Sequence, residues 1–350
     1  MQIVELLTPD YEAAWLPWAV QYFFFIGIAA TTALTAAALA FGKPGSPSAR
    51  LLPAAVVVLL VTAIAAPVSL LADLHQPGRF WHFYAHFTPW SWMSIGAYLL
   101  PLFVMLALGF CLLWWLRRER LLRLTGLAMA LLAVSILVYT GAEVMVVRAR
   151  PLWNTLLLPW NFAVTGWLAA LGAMLLVGRW LPGGLGAMPM ELLRRLGISA
   201  LVLVVLGVLV WVATGSLGLD PSFPAALRLF EDFPVWRLSL LGAVLSGVLM
   251  LVMLARPAAR LGGAGYSLLV ALVMLGSAWV FRWVVFMSVQ GVPKYGAGLY
   301  LYSMPLGGDG LLGILGMFGL CLALLVAVVF VLERFSVFQP GPGRSLIRSR

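Results

Sequence analysis

Nine apolar stretches follow one another along the chain, at about 16–41, 51–73, 91–116, 121–147, 155–178, 195–217, 236–255, 265–288 and 311–333. A hydrocarbon core of about 30 Å takes roughly 20 apolar residues at the rise of an α-helix, and each stretch meets that length. A membrane barrel would show short segments of alternating polarity instead. The pattern predicts an all-α integral membrane protein with about nine transmembrane helices. Polar breaks give the connections. Those at 43–50 (KPGSPSAR), 117–123 (RRERLLR) and 256–260 are short, and those at 74–90, 218–236 and 290–310 are longer. The segment 179–194 holds Leu-Pro-Gly-Gly and an interfacial turn.

Composition removes the soluble alternative that a length of 350 residues would suggest. Hydrophobic residues make up 63% of the chain, charged residues 10%, and mean hydropathy is +1.04. A soluble domain is about a quarter charged. The first fifteen residues carry Glu5, Asp10 and Glu12 but no Lys or Arg, which reads as a short acidic leader and not as a cleavable signal peptide. The two cysteines, Cys111 and Cys321, sit singly in apolar runs, so neither an iron–sulfur cluster nor a structural zinc site of the chain's own is expected.

Charge sets the expected orientation. With the N-terminus outside and the C-terminus cytoplasmic, 15 of the 22 Lys and Arg residues fall on the inner side, including Lys43, Arg117, Arg194, Arg256 and Arg334. The positive-inside rule favours that arrangement. The net charge of +10 is then anchoring charge, and no nucleic-acid partner is needed to explain it. The same orientation brings three polar stretches, Asp73–Ser94, Glu143–Asn154 and Arg282–Lys294, to one outer face. A plain anchor predicts no such clustering, whereas a site does.

The first stretch is the densest. Asp73 closes the second span, Pro77-Gly78 breaks the chain, and Arg79 follows among aromatics. An ionisable residue at a membrane edge is costly unless paired or solvated, which makes Asp73 and Arg79 candidates. A snorkelling Arg within an aromatic belt is the bland alternative. All three histidines, His75, His82 and His86, lie in this one loop. A bis-histidine haem needs ligands from facing helices, so none is expected. His82 and His86 stand four apart, but no carboxylate or cysteine completes a zinc set, so no metal is expected.

In the fourth span Tyr139 and Glu143 share a helix face. Glu143 sits about one turn inside the outer end. It is desolvated there unless paired with Arg148, Arg150 or Arg79, and such a carboxyl can take up and release a proton. Asn154 opens the fifth span, with Asn161 and Thr165 on its face. In the eighth span Arg282 and Gln290 share a face. Arg282 has no acid on its own helix, and Glu143 or Asp73 is its natural partner. Gln21 in the first span and Ser91, Ser94 and Tyr98 in the third add neutral hydrogen-bonding groups. A carboxyl, a phenol, an Arg and amides walled by Leu, Phe and Trp suit a quinone, whose oxidation releases protons that a titratable group must accept.

These residues carry a family resemblance. DLHQPGRFWHFY with TPWSWMS, and VYTGAEVMVVRARPLWNTLLLPWNF, resemble motif stretches of the NrfD-like family, the membrane subunit of polysulfide reductase and related complexes. Spans six to nine match mainly in hydropathy. Nine spans with an outer N-terminus are closer to the tetrathionate-reductase type of anchor. The resemblance implies a quinone-binding subunit, for menaquinone or ubiquinone, in a bacterial or archaeal cytoplasmic membrane, without haem. It implies a ferredoxin-like iron–sulfur partner and a molybdopterin catalytic subunit on the outer, periplasmic face. It implies two four-helix groups and one extra helix, with a first group over 1–178 and a second over 179–350. Carried to this chain, Glu143, Tyr139 and Asp73 are the expected catalytic groups, with His75, Arg79, Arg148, Arg150, Asn154, Gln21 and Arg282 around the quinone. A secondary transporter or proton pathway using Glu143 and Arg282, and a purely structural anchor, are the rival readings.

Overall fold

The computed structural model describes residues 13–74, 76–292 and 302–335. Among these, nine helices are long and apolar enough to cross a membrane: α1 Pro17–Leu39, α2 Pro47–Asp73, α3 Trp92–Trp115, α4 Glu119–Met145, α5 Leu157–Val177, α6 Met190–Ser216, α7 Pro234–Ala255, α8 Ala264–Ser288 and α9 Leu311–Arg334. Every expected span is present, within a few residues at either end.

The helices are not equivalent. In α1, 83% of the most apolar window is buried inside the molecule, against 17% in α7 and 11% in α9. The first helix is therefore the hub. It packs on α2, α4, α5 and α8, while α3 pairs with α4 and α5 with α8. Its sequence explains the position, because the run AATTALTAAAL offers a small surface to neighbouring helices. One close approach is glycine on glycine: a Cβ at Gly166 of α5 would come to 3.0 Å from the Gly27 carbonyl of α1. Thr31 and Thr35 in this crowded region return their hydroxyls to carbonyls one turn back, at 2.7 and 2.8 Å. That satisfies them without water.

One end of the bundle gathers the polar stretches. Asp73 ends α2 there, and its Oδ1 accepts the Leu16 amide at 3.3 Å, at the N-terminus of α1 where a carboxylate is favoured. The loop after Asp73 folds into a 3₁₀ turn, Pro77–Arg79, and a short helix, His82–Ala85. The last part of α8 widens into a π-turn over Val284–Ser288. The long 218–236 connection contains a surface helix, Ser222–Asp232, which joins α6 and α7.

Candidate functional site

Beneath that end, α1 and α4 bring polar side chains into the apolar interior, with α3 packed against them and the end of α2 at the rim. α1 supplies Gln21 and Tyr22, 0% and 1% exposed. α4 supplies Tyr139, 5% exposed, and Glu143 one turn beyond it. α3 contributes a glycine: a Cβ at Gly96 would overlap the phenol ring of Tyr139, so only glycine lets that ring lie on the helix. Tyr22, Tyr139 and Glu143 lie within electrostatic reach of one another, and Asp73 acts on Glu143 from the end of α2.

The state of these groups is the chemically telling feature. Gln21 Nε2 and Oε1 and Glu143 Oε2 are buried without a hydrogen-bond partner among the described residues, and the Tyr22 hydroxyl has the Tyr139 phenol within reach but no well-formed hydrogen bond to it. Buried polar atoms in native proteins are nearly always paired. Leaving one unpaired costs about 1–3 kcal/mol. Unpartnered polar atoms of this kind, on Gln21 of α1 and on a carboxyl that pairs with no cation among the described residues, are ones that polar ligand atoms would complete. None of the ion pairs among the described residues includes Glu143.

The arginines expected around Glu143 are engaged elsewhere. Arg282 does not pair with Glu143 or Asp73. Its Nη1 donates to the Thr165 hydroxyl and to the Ala278 carbonyl at 3.3 Å, and its Nη2 donates to the Phe162 carbonyl at 2.8 Å. The guanidinium also lies over the Phe162 and Phe281 rings, at 5.4 and 5.6 Å. It reaches Gly27, near the midpoint of α1, so it sits deeper than the sequence pattern suggested. Carbonyl dipoles, a hydroxyl and π-faces take the place of the missing acid. Arg150 Nη1 donates to the carbonyls of Val289, Gln290 and Val292, at 3.1, 3.1 and 3.4 Å, where it caps the end of α8. Arg148 is exposed, and Asn154 is half-buried in the turn before α5. Gln290 forms a clasp, accepting the Trp15 amide and donating to the Trp15 carbonyl, both at 3.0 Å.

Arg79 stands apart from the buried group. With Leu74, Gln76, Phe80, His82, Phe83, His86 and Ser94 it lines an open pocket of about 540 Å³ on the loop side of α3. His75 lies outside the described residues. Among the described residues no three His, Cys, Asp or Glu side chains converge on a point where a metal could sit.

A family model described as "Polysulphide reductase, NrfD" matches residues 7–294. The chain belongs to the NrfD family. The C subunit of tetrathionate reductase from Salmonella typhimurium (strain LT2) is 36% identical to it over 344 aligned residues, covering 93% of this chain and 94% of that protein. With its nine apolar helices, this NrfD-family chain is a multi-pass integral protein of the inner membrane.

A second buried polar group of this NrfD-family chain went unseen in the sequence. Asp220 Oδ2 accepts the Thr155 hydroxyl at 2.5 Å, and its Oδ1 accepts the Ser222 amide and hydroxyl at 2.9 and 2.6 Å. Trp211 Nε1 completes the network at 2.8 Å from Ser222 Oγ. The group ties the start of α5 to α6 and the surface helix. A local signal existed, because Asp two residues before Ser at a helix start is a capping arrangement. The tertiary partners Thr155 and Trp211 had none.

Proposed function

We propose that this chain is the quinone-reactive membrane subunit of a tetrathionate- or polysulphide-reductase type of complex. In this reading it carries electrons between membrane quinol and a peripheral iron–sulfur subunit, with no haem or cluster of its own. The observation that carries the proposal is the buried group Tyr22, Tyr139 and Glu143, together with the unpartnered Gln21 amide of the same helix as Tyr22, whose donors and acceptor suit the two ends of a quinone ring. The Gln21 amide and the Tyr22 hydroxyl are donors suited to ring carbonyl oxygens. A quinol bound there would supply two electrons and two protons. Tyr139 and Glu143, one helical turn apart, would receive and pass a proton. Asp73, acting on Glu143 from the rim, offers the next carboxylate toward the surface. The phenylalanines of α1 would wall the ring and exclude water.

The partners follow from the same reading. A tetrathionate reductase subunit as relative supports an iron–sulfur protein of ferredoxin type and a molybdopterin catalytic subunit, docked on the outer face at the Asp73 end. Glu143→Gln or Tyr139→Phe should depress quinol-dependent turnover of the complex while dye-dependent turnover of the catalytic partner persists. Equal loss of both activities would refute the assignment.

The depth of Arg282 gives a second reading some support. A buried guanidinium near the midpoint of α1 is the kind of group that lines an ion path. Sealed proteoliposomes separate the two: proton uptake coupled to turnover that disappears in Arg282→Gln would favour a translocating role, and unchanged uptake a structural one.

A further inference from the structure

The pocket at the loop between α2 and α3 has a chemistry of its own. Its polar liners are Gln76, Arg79, His82, His86 and Ser94, and every one of them can donate a hydrogen bond. Among the described residues no carboxylate lines it. The nearest acid in sequence, Asp73, is directed to the α1 N-terminus, where Leu16 donates to it at 3.3 Å. No ion pair among the described residues engages Arg79, His82 or His86. Three side chains able to carry positive charge thus converge on one open space without a counter-charge among the described residues. That composition selects an anion.

Position narrows the anion further. The pocket opens where α2 ends at Asp73 and α3 begins at Trp92, at the level where two spanning helices leave the hydrocarbon. Around it, Trp81, Phe87 and Trp90 are 53%, 52% and 85% exposed, an aromatic belt of the kind that marks the headgroup level. The remaining liners, Leu74, Phe80 and Phe83, are apolar and face the same space. A ligand with a charged oxyanion and an attached hydrocarbon portion satisfies both halves. We propose that this pocket holds the phosphodiester headgroup of an anionic phospholipid. Arg79 grips the phosphate, His82 and His86 flank it, Gln76 and Ser94 add neutral donors, and Phe80 and Phe83 border the glycerol and first acyl carbons. Basic pockets at helix ends recognise such headgroups by the same forces. The inference does not depend on the quinone reading, because the lipid pocket and the buried tyrosine–glutamate group share no residue.

The full chain, with whichever subunits co-purify, would be placed in nanodiscs of phosphatidylcholine containing increasing phosphatidylglycerol, and retained lipid counted by native mass spectrometry after mild extraction. The expected result is selective retention of phosphatidylglycerol, weakened about tenfold by Arg79→Ala and less by His82→Ala, with Arg79→Lys keeping part of it. Thermal melts of each variant separate a lost site from a lost fold. Equal retention of phosphatidylcholine, or retention of phosphatidylglycerol unchanged in a folded Arg79→Ala, overturns the proposal. Displacement of the lipid by millimolar inorganic phosphate would identify a free-phosphate site and overturn the lipid assignment. Exclusion of lipid whenever a partner subunit is bound would assign the pocket to that partner's acidic side chains, with the same consequence.

Discussion

Two of the buried polar groups among the described residues are built in opposite ways. Around Asp220, both carboxylate oxygens, two hydroxyls, an indole and an amide are paired at 2.5 to 2.9 Å. Around Glu143 two phenols and a carboxyl lie close together, and Glu143 Oε2, like both amide atoms of the buried Gln21, has no partner among the described residues. A satisfied network has finished its work when the chain folds, since it fixes helices. An unsatisfied one holds free energy that only a ligand or a proton can recover. The contrast, and not polarity alone, separates a brace from a site.

The sharpest way to break this comparison is chemical. If the Glu143 group handles quinol protons, Glu143→Gln should lower quinol-dependent turnover by about 10²-fold or more, the range that a positioned acid–base group supplies. Tyr139→Phe should follow in the same direction. Dye-coupled activity of the complex should stay near wild type. A Glu143→Gln protein with normal quinol kinetics would leave the group without a role in proton transfer.

The second test acts on geometry without touching a polar atom. A methyl at Gly96 overlaps the Tyr139 ring, whereas a methyl at Gly109 of the same helix meets nothing within 4 Å. Overpacking of this kind costs about 1–3 kcal/mol when the neighbour must move. Gly96→Ala should therefore displace Tyr139 and lower quinol-dependent turnover by about tenfold. Gly109→Ala should behave as wild type in the same assay. Equal behaviour of the two would mean that the position of Tyr139 does not matter.

How far the sequence led depends on whether a feature is local. The nine helices were legible because span length and apolar character are properties of contiguous residues. Tyr139 and Glu143 were legible as a pair because helical spacing places them on one face. The fate of Arg282 was not legible. A buried cation announces its need for a partner, but the carbonyls of Phe162 and Ala278 are drawn from groups that every residue possesses, so no pattern marks them. The contacts of Arg150 were not legible for the same reason, since they include the carbonyls at the end of α8. The surface helix Ser222–Asp232 lies inside what the polar breaks mark only as a connection, although Phe223, Leu227 and Phe230 recur at helical spacing. The π-turn in α8 left no mark in the sequence; a partner that meets it, Trp153 Nε1 donating to the Val285 carbonyl at 2.7 Å, comes from a distant turn.

The brace should answer a different assay from the site. Asp220→Ala leaves the Ser222 amide and the Thr155 hydroxyl buried without their acceptor, at about 1–3 kcal/mol. The expected outcome is a melting temperature lowered by several degrees in detergent, with quinol affinity and turnover of the folded fraction unchanged. Asp220→Asn should recover part of the loss, since its amide oxygen still accepts. A drop in quinol affinity matching that of Glu143→Gln would erase the distinction between the two groups.

The smallest effect is expected where a single neutral hydrogen bond fastens the π-turn. Trp153 is 5% exposed, stacks on Trp15 with ring centroids 5.5 Å apart, and spends its only donor on Val285. Trp153→Phe keeps most of the stacking area and removes that donor, so about 1 kcal/mol of stability should go with it. The loss should fall locally, because Arg150 and the Gln290 clasp still hold the end of α8. Amide exchange in the segment 284–292 should quicken while exchange in α1 and α4 stays as in wild type. If exchange at Glu143 and Tyr139 quickened equally, the clasp at the N-terminus of α1 and the buried tyrosine–glutamate group would be one cooperative unit. The site would then be braced by α8 and not by α1 and α4 alone.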